Sequence, residues 1–412
     1  DSVWYTLSLM KKFLILKFLL FLILLASAPY AEAATKTPAK PKAPMAPSLE
    51  VSGWIPYWRK ATGTEEALAH LDAFKEINPF GYTVKRDGTL ADTAKMDEEP
   101  WTTLITLAKE RKIRVIPTVM WSDTEAIHRI LSNTKTRIAL EDEIAALVKQ
   151  KSFDGIDIDF EGKRAETKQY FSTFLKGLYQ RMGKKWVMCT IEARTPLDSR
   201  YDTIPKNIEY ANDFVAINKY CDRVRIMTYD QGAIDVKLNR ARMAPYIPVA
   251  DPAWVEKVIT LTAKTIPKKK LSIGIATYGY EYKVTKLSEY GYRYDLEWAF
   301  NPRYALELAT SLGITPTRTG SNEIGFMYTP AQVSTETSGN DASSGSGNTG
   351  LSSAVAENQP SSQIQGATNI LVWSDAKAIK DKIDLAKRLG VRGVAIFKID
   401  GGADPAIWDA LK

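Results

Sequence analysis

The chain has 412 residues, of which 45% are hydrophobic and 25% charged, with a formal net charge of +7. That composition excludes a disordered or fibrous protein and leaves room for one large domain or two of ordinary size. Two cysteines, Cys189 and Cys221, are too few for a disulfide framework, and two histidines, His70 and His128, are too few for a histidine-rich metal site.

The positive charge favours anionic surroundings such as a cell wall or a membrane surface, and no arginine-rich block points to nucleic acid. The cysteines either pair with each other after export or remain two buried thiols; two thiols are the expectation.

The N-terminus reads as an export signal over residues 1–33. Met10-Lys11-Lys12 supplies a positive region, Phe13 to Ala28 is apolar apart from Lys17, and Ala31-Glu32-Ala33 offers a small-x-small cleavage site. The apolar run is short for a membrane span, so cleavage is favoured over an uncleaved anchor that would tether the protein to a membrane. Either way, the location implied is secreted or cell-surface. Residues 34–49 are rich in Pro and Lys and are expected to form an extended spacer.

From Glu50 onward, short apolar runs alternate with amphipathic helical stretches. Strands are predicted at Val51–Pro56, Asn78–Val84, Arg114–Val119, Gly155–Phe160, Trp186–Ile191, Val224–Met227, Leu271–Ala276 and Gly393–Phe397. Helices are predicted at Pro100–Arg111, Thr136–Lys151, Ala165–Met182, Ala253–Thr265 and Asp375–Leu389. Eight strands with intervening helices argue for the α/β class and a closed (β/α)8 TIM barrel over residues 50–412. A doubly wound open sheet is the alternative, but no glycine-rich phosphate turn follows the first strand.

One connection breaks the rhythm. Residues 280–371, between the seventh and eighth strands, are far too many for an ordinary βα loop. The aromatic run Tyr278 to Tyr282, a helical stretch from Asn301 to Ala309 and a strand-like stretch from Glu323 to Thr329 predict a small α+β insertion. Residues 334–366, dominated by Ser, Gly, Thr and Asn, are expected to be disordered.

The chemistry concentrates in Asp154-Gly155-Ile156-Asp157-Ile158-Asp159-Phe160-Glu161. At the two-residue period of a strand, Asp157, Asp159 and Glu161 share one face, and Ile156, Ile158 and Phe160 share the other. Like charges crowded in a low-dielectric space cannot all ionise, so at least one carboxyl should hold its proton near neutrality, as a general acid must. A metal site made from the same three acids ranks lower, because strand alternation spreads them along a line rather than around an ion. No metal or cofactor is expected.

This stretch matches in full the DGxDxDxE signature of glycoside hydrolase family 18, the chitinase-like barrels. Supporting segments occur in order: Gly53-Trp54-Ile55-Pro56-Tyr57-Trp58 on the first strand and Met227-Thr228-Tyr229-Asp230 on the sixth. The C-terminal runs Val372-Trp373-Ser374-Asp375 and Gly393 to Phe397 resemble the bacterial branch that includes spore-cortex and peptidoglycan hydrolases.

The resemblance implies substrate-assisted, retaining hydrolysis of β-1,4-linked N-acetylglucosamine polymers, either chitin or peptidoglycan, outside the usual two-carboxylate scheme. It implies catalytic roles for Glu161 as proton donor and later base, Asp159 as orienter of the substrate's acetamido group, Asp157 as a proton partner of Asp159, and Tyr229 as a donor to the acetamido oxygen. Asp230, Met227, Tyr57, Trp121 and Phe397 would contact sugar, and a monomer is expected. Asp157 is read with equal weight as a buried, hydrogen-bonded acid with no direct catalytic part.

Two departures stand out. The third strand, Ile116 to Trp121, lacks the Ser-x-Gly-Gly of typical chitinases, and Phe397 stands where the family usually places the tryptophan that floors the sugar site. The second departure keeps open the alternative of a non-hydrolytic sugar-binding lectin on the same barrel.

Overall fold

The computed structural model describes residues 49–242, 245–288, 291–330 and 368–411. The export signal, nearly all of the spacer and the segment 334–366 lie outside the described residues. From Leu49 onward the chain forms one compact unit.

Eight parallel strands close into a barrel: β1 (Glu50–Pro56), β2 (Glu76–Val84), β3 (Arg114–Val115 and Thr118–Trp121), β4 (Gly155–Phe160), β5 (Trp186–Glu192), β6 (Arg223–Met227), β7 (Leu271–Ala276) and β8 (Gly393–Phe397). Closure comes from β1, which pairs with β2 on one side (Trp54 opposite Asn78) and with β8 on the other (Val51 opposite Val394). The third strand is broken at Ile116-Pro117, where proline has no N–H for the ladder. Its second half runs on to Trp121, two residues beyond the expected end. A short strand, Leu90–Asp92, adds antiparallel to β2 and carried no clear sequence signal.

Every residue of β4 is buried. Phe160, on the outward face, packs against Phe171 and Phe174 of the helix Lys168–Met182, with centroids 6.0 and 5.3 Å away. Asp157 and Asp159 therefore face the barrel interior. Two of the covering helices begin at an aspartate that satisfies a free N–H group. Asp251 accepts from Ala253 N–H at the start of Pro252–Thr262, and Asp375 accepts from Ala378 N–H at the start of Ala376–Leu389. Among the described residues no helix is long and apolar enough to cross a membrane.

Between β7 and β8 lies an antiparallel five-stranded sheet in the order Tyr292–Phe300, Gly279–Lys286, Thr368–Trp373, Ile324–Tyr328, Thr317–Arg318. The helix Pro302–Ser311 packs on it through Ala305 and Ala309, which share a small core with Phe300, Phe326 and Trp373. This is the α+β insertion the sequence predicts.

The expectation of two buried thiols is corrected. Cys189 on β5 and Cys221 just before β6 form a disulfide, with Cα atoms 5.9 Å apart. Cys189 lies opposite Val224 in the β5–β6 ladder, so the fold brings the two cysteines together across adjacent strands. Strand register, which composition does not carry, decides the pairing.

Candidate active site

The carboxylate row runs up β4 from the barrel axis to its C-terminal rim, the end at which barrels of this kind carry their chemistry. Asp157 is fully buried. Its Oδ2 accepts from Trp54 Nε1 (3.0 Å) and Thr118 Oγ1 (2.9 Å), and its Oδ1 accepts from Thr190 Oγ1 (2.9 Å). The Arg225 guanidinium, reaching in from β6, lies 3.0 Å from Oδ1, 5.3 Å over the Trp54 ring, and also pairs with Glu76 of β2. Burial raises the Asp157 carboxyl to about 6 against the pull of Trp54, Thr118 and Thr190. Both of its oxygens are thus committed to these donors rather than to Asp159, which departs from the expectation of a shared proton and favours the reading of a hydrogen-bonded structural acid.

Asp159 is also buried, and its Oδ1 has no hydrogen-bond partner among the described residues. Burial, followed by the charges of Glu161, Asp157 and Glu192, pushes its carboxyl up, with Lys163 opposing. Among the described residues it is the one buried carboxylate oxygen without a partner, an acceptor open to a donor.

Glu161 follows at the end of β4, half-buried, its N–H given to Trp121 O at 2.8 Å. Burial, then the neighbouring Glu192, raises its carboxyl to about 7; Lys163 opposes this and Asp230 adds to it. A carboxyl at about 7 is matched to proton donation near neutrality.

Tyr229 and Asp230 come from the end of β6. Tyr229 is buried, and burial followed by Asp159 and Asp230 pushes its hydroxyl up, so it stays a neutral donor. Gly274 on β7 makes its position possible: a Cβ there would sit 2.9 Å from Tyr229 Cε1 and 2.5 Å from Ile226 O. Asp230 adopts φ +57°, and its Oδ1 accepts from Tyr278 (2.6 Å) and Tyr280 (2.7 Å). Those two tyrosines belong to the aromatic run after β7, which the sequence reading placed in the insertion but not in the site. Burial raises the Asp230 carboxyl while both hydroxyls pull it down.

The proposed sugar contacts divide. Phe397 stacks on Tyr229 (5.6 Å, 15° between planes) and meets Trp54 and Tyr278 edge-on, so it stands on the floor beside Tyr229. Met227 and Tyr57 are half-buried near the rim. Trp121 is 2% exposed, edge-on to Phe160, and presents almost no surface on which a sugar could stack. Trp58 is 49% exposed and meets Tyr57 and Phe80 edge-on, which makes it the more open platform at this mouth.

Three further residues were not singled out from the sequence. Lys163 is a local neighbour that a reading of the motif's flank could have found. Arg225 is a charge inside a strand, and Glu192 ends β5. Among the described residues no cluster of His, Cys, Asp and Glu could hold a metal ion.

A closed parallel barrel whose fourth strand carries aligned acids to the C-terminal rim, with a tyrosine and an aspartate facing them from the sixth, is a barrel of the glycoside hydrolase class. The sequence profile of glycosyl hydrolases family 18 matches residues 53–402, and the chain belongs to that family.

Among curated relatives, the chain is 28% identical over 190 residues to an uncharacterized glycosylase, YvbX, of Bacillus subtilis (strain 168), covering 44% of this chain and 51% of that protein. The chain spans about half the length of the curated relatives it matches. Its fold is similar to the spore cortex-lytic enzyme SleL of Bacillus megaterium QM B1551 (TM-score 0.63, 22% identity, 88% of this chain and 73% of that one). It is equally similar to a chitinase of Chromobacterium violaceum ATCC 12472 (TM-score 0.65, 18% identity, 88% of this chain and 98% of that one). At these identities the likenesses concern the fold.

Proposed function

We propose that the protein is an exported glycosidase that cleaves polymers containing β-1,4-linked N-acetylglucosamine, chitin-like or peptidoglycan, by a substrate-assisted retaining mechanism. The observation that carries this reading is the open, buried Oδ1 of Asp159 next to the Glu161 carboxyl. An acceptor with no protein donor among the described residues suits the N–H of a 2-acetamido group.

In the first step Glu161 gives its proton to the glycosidic oxygen. The acetamido carbonyl oxygen then forms the bond to the anomeric carbon as the bond to the leaving sugar breaks. Asp159 holds the acetamido N–H and stabilises the positive oxazolinium charge, and Tyr229 donates to the acetamido oxygen. In the second step water attacks the anomeric carbon, Glu161 takes its proton, and the acetamido group is released with net retention.

Export rests on the N-terminal sequence and is supported by the Cys189–Cys221 disulfide, which suits an oxidising compartment. A wall-directed substrate is supported by the likeness to a spore cortex-lytic enzyme, and chitin by the likeness to chitinases. Product analysis on N-acetylglucosamine oligomers beside purified peptidoglycan tests the proposal. New reducing ends from either polymer support it. Tight oligosaccharide binding without turnover would make the protein a lectin instead.

A further inference from the structure

Glu161 is gripped through the peptide groups on either side of it. On the preceding side, Lys163 turns back and its Nζ donates to the carbonyl of Phe160. On the following side, Glu192 Oε1 accepts the N–H of Gly162 at 3.0 Å. The two grips belong to one ion pair, with Lys163 Nζ 3.6 Å from Glu192 Oε2.

The pair is built in rather than incidental. The Lys163 side chain is 1% exposed, and its ammonium lies 4.8 Å over the Phe171 ring. Glu192 Oε2 also accepts from Asn212 Nδ2 at 2.6 Å. Asn212 is fixed in turn, its carbonyl accepting from Arg194, whose guanidinium lies between the rings of Tyr210 and Phe214 at 3.8 and 4.0 Å. Gly162 takes φ +63°, which lets the backbone turn directly after the acid so that Lys163 can point back.

We propose that Lys163 and Glu192 are positioning residues for Glu161: an ion pair that fixes the backbone on both sides of the acid and places one charge of each sign beside its carboxyl. The inference rests on Glu161 being the proton donor.

The groups facing the acid are Asp159 on its own strand, Glu192 from β5, Tyr229 and Asp230 from β6, and Lys163 in the loop that follows. Glu192 and Lys163 act on Glu161 in opposite directions, so the pair lets an acidic rim surround the acid without locking its proton in place. Burial raises Glu192, but Lys163, Gly162 N–H and Asn212 outweigh it and hold the carboxyl below its usual range. Glu192 therefore remains charged while Glu161 titrates.

Opposite charges at this range predict opposite displacements, a signature that a purely structural bridge would not give. The readout is the carboxyl carbon-13 titration of Glu161 in glutamate-labelled full-length protein, its resonance identified by its loss in Glu161→Gln. The midpoint should fall by about one pH unit in Glu192→Gln, rise by about one in Lys163→Met, and return close to wild type in the double variant. Lys163→Arg, which keeps the charge, should leave it near wild type. Midpoints that stay put, or that move in the same direction in both single variants, overturn the proposal. If Lys163→Met does not fold, Glu192→Gln decides alone, and an unmoved or raised midpoint overturns it. Because the titration needs no substrate, the predicted shifts in a protein that cleaves no glycan support the ion pair and refute only the activity.

Discussion

Replacing Arg225 by methionine removes the positive charge from the barrel axis and keeps most of the side-chain volume. Arg225 is 2% exposed and serves two buried acids, Glu76 and Asp157. Burial lowers its own pKa to about 9, so it remains charged at neutral pH. Breaking a buried pair by removing one partner costs about 3–5 kcal/mol. Here the lower end applies: Asp157 keeps Trp54, Thr118 and Thr190, and Glu76 keeps Asn78 and Arg114. The expected loss is therefore about 3 kcal/mol, a large share of a typical total of about 5–15 kcal/mol.

The loss should also depend on pH. Asp157 titrates at about 6 in the fold, above the ordinary aspartate value, so it contributes stability when protonated and loses that contribution as pH rises through 6. Removing the guanidinium takes a positive charge from beside Asp157 Oδ1, so the variant's deficit should be larger at about pH 8.5, where that carboxyl is ionised, than at about pH 5, where it holds its proton. Urea unfolding followed by tryptophan fluorescence at the two pH values measures both quantities. A deficit below about 1 kcal/mol, or the same deficit at both pH values, would refute the idea that Arg225 neutralises the axis.

Other consequences of the structure can be checked separately. The Cys189→Ala/Cys221→Ala protein should lose about 3–4 kcal/mol in urea unfolding, because the disulfide closes a loop across a 32-residue separation; no loss relative to the oxidised wild type would contradict the pairing. Gly274→Ala should displace Tyr229 and cost about 1–3 kcal/mol, with kcat falling more than KM rises. Tyr229→Phe, which removes only the hydroxyl, should lower kcat by about 100-fold with little change in unfolding, and an unchanged kcat would remove Tyr229 from the mechanism.

The barrel was legible because its strands announce themselves locally. β4 occupies Gly155–Phe160 as read from the sequence, and its two-residue alternation sends the acids inward and the isoleucines outward. The motif fixed which residues would meet at the rim, since Asp159 and Glu161 share a strand and Tyr229-Asp230 ends another. What stayed hidden depends on contacts between distant strands. Cys189 and Cys221 meet through the β5–β6 register, and Arg225 reaches Asp157 and Glu76 across the barrel interior. Glu192 reaches Gly162 from the end of the neighbouring strand.

Arg225 did leave a trace. In the run Arg223-Val224-Arg225-Ile226-Met227, alternation places two arginines on the face opposite the valine and isoleucine, so a charge had to enter the interior. The broken third strand is a failure of a different kind: Pro117 interrupts the ladder, and the strand resumes to put Trp121 O opposite Glu161 N–H.

The central claim is that Glu161 donates the proton that breaks the glycosidic bond. Glu161→Gln keeps the size of the side chain and its half-buried place while removing the acid. Reducing-end release from peptidoglycan and from N-acetylglucosamine oligomers should fall by at least about 100-fold in that variant, with oligosaccharide binding retained. Equal release by the variant and the wild type would contradict the account.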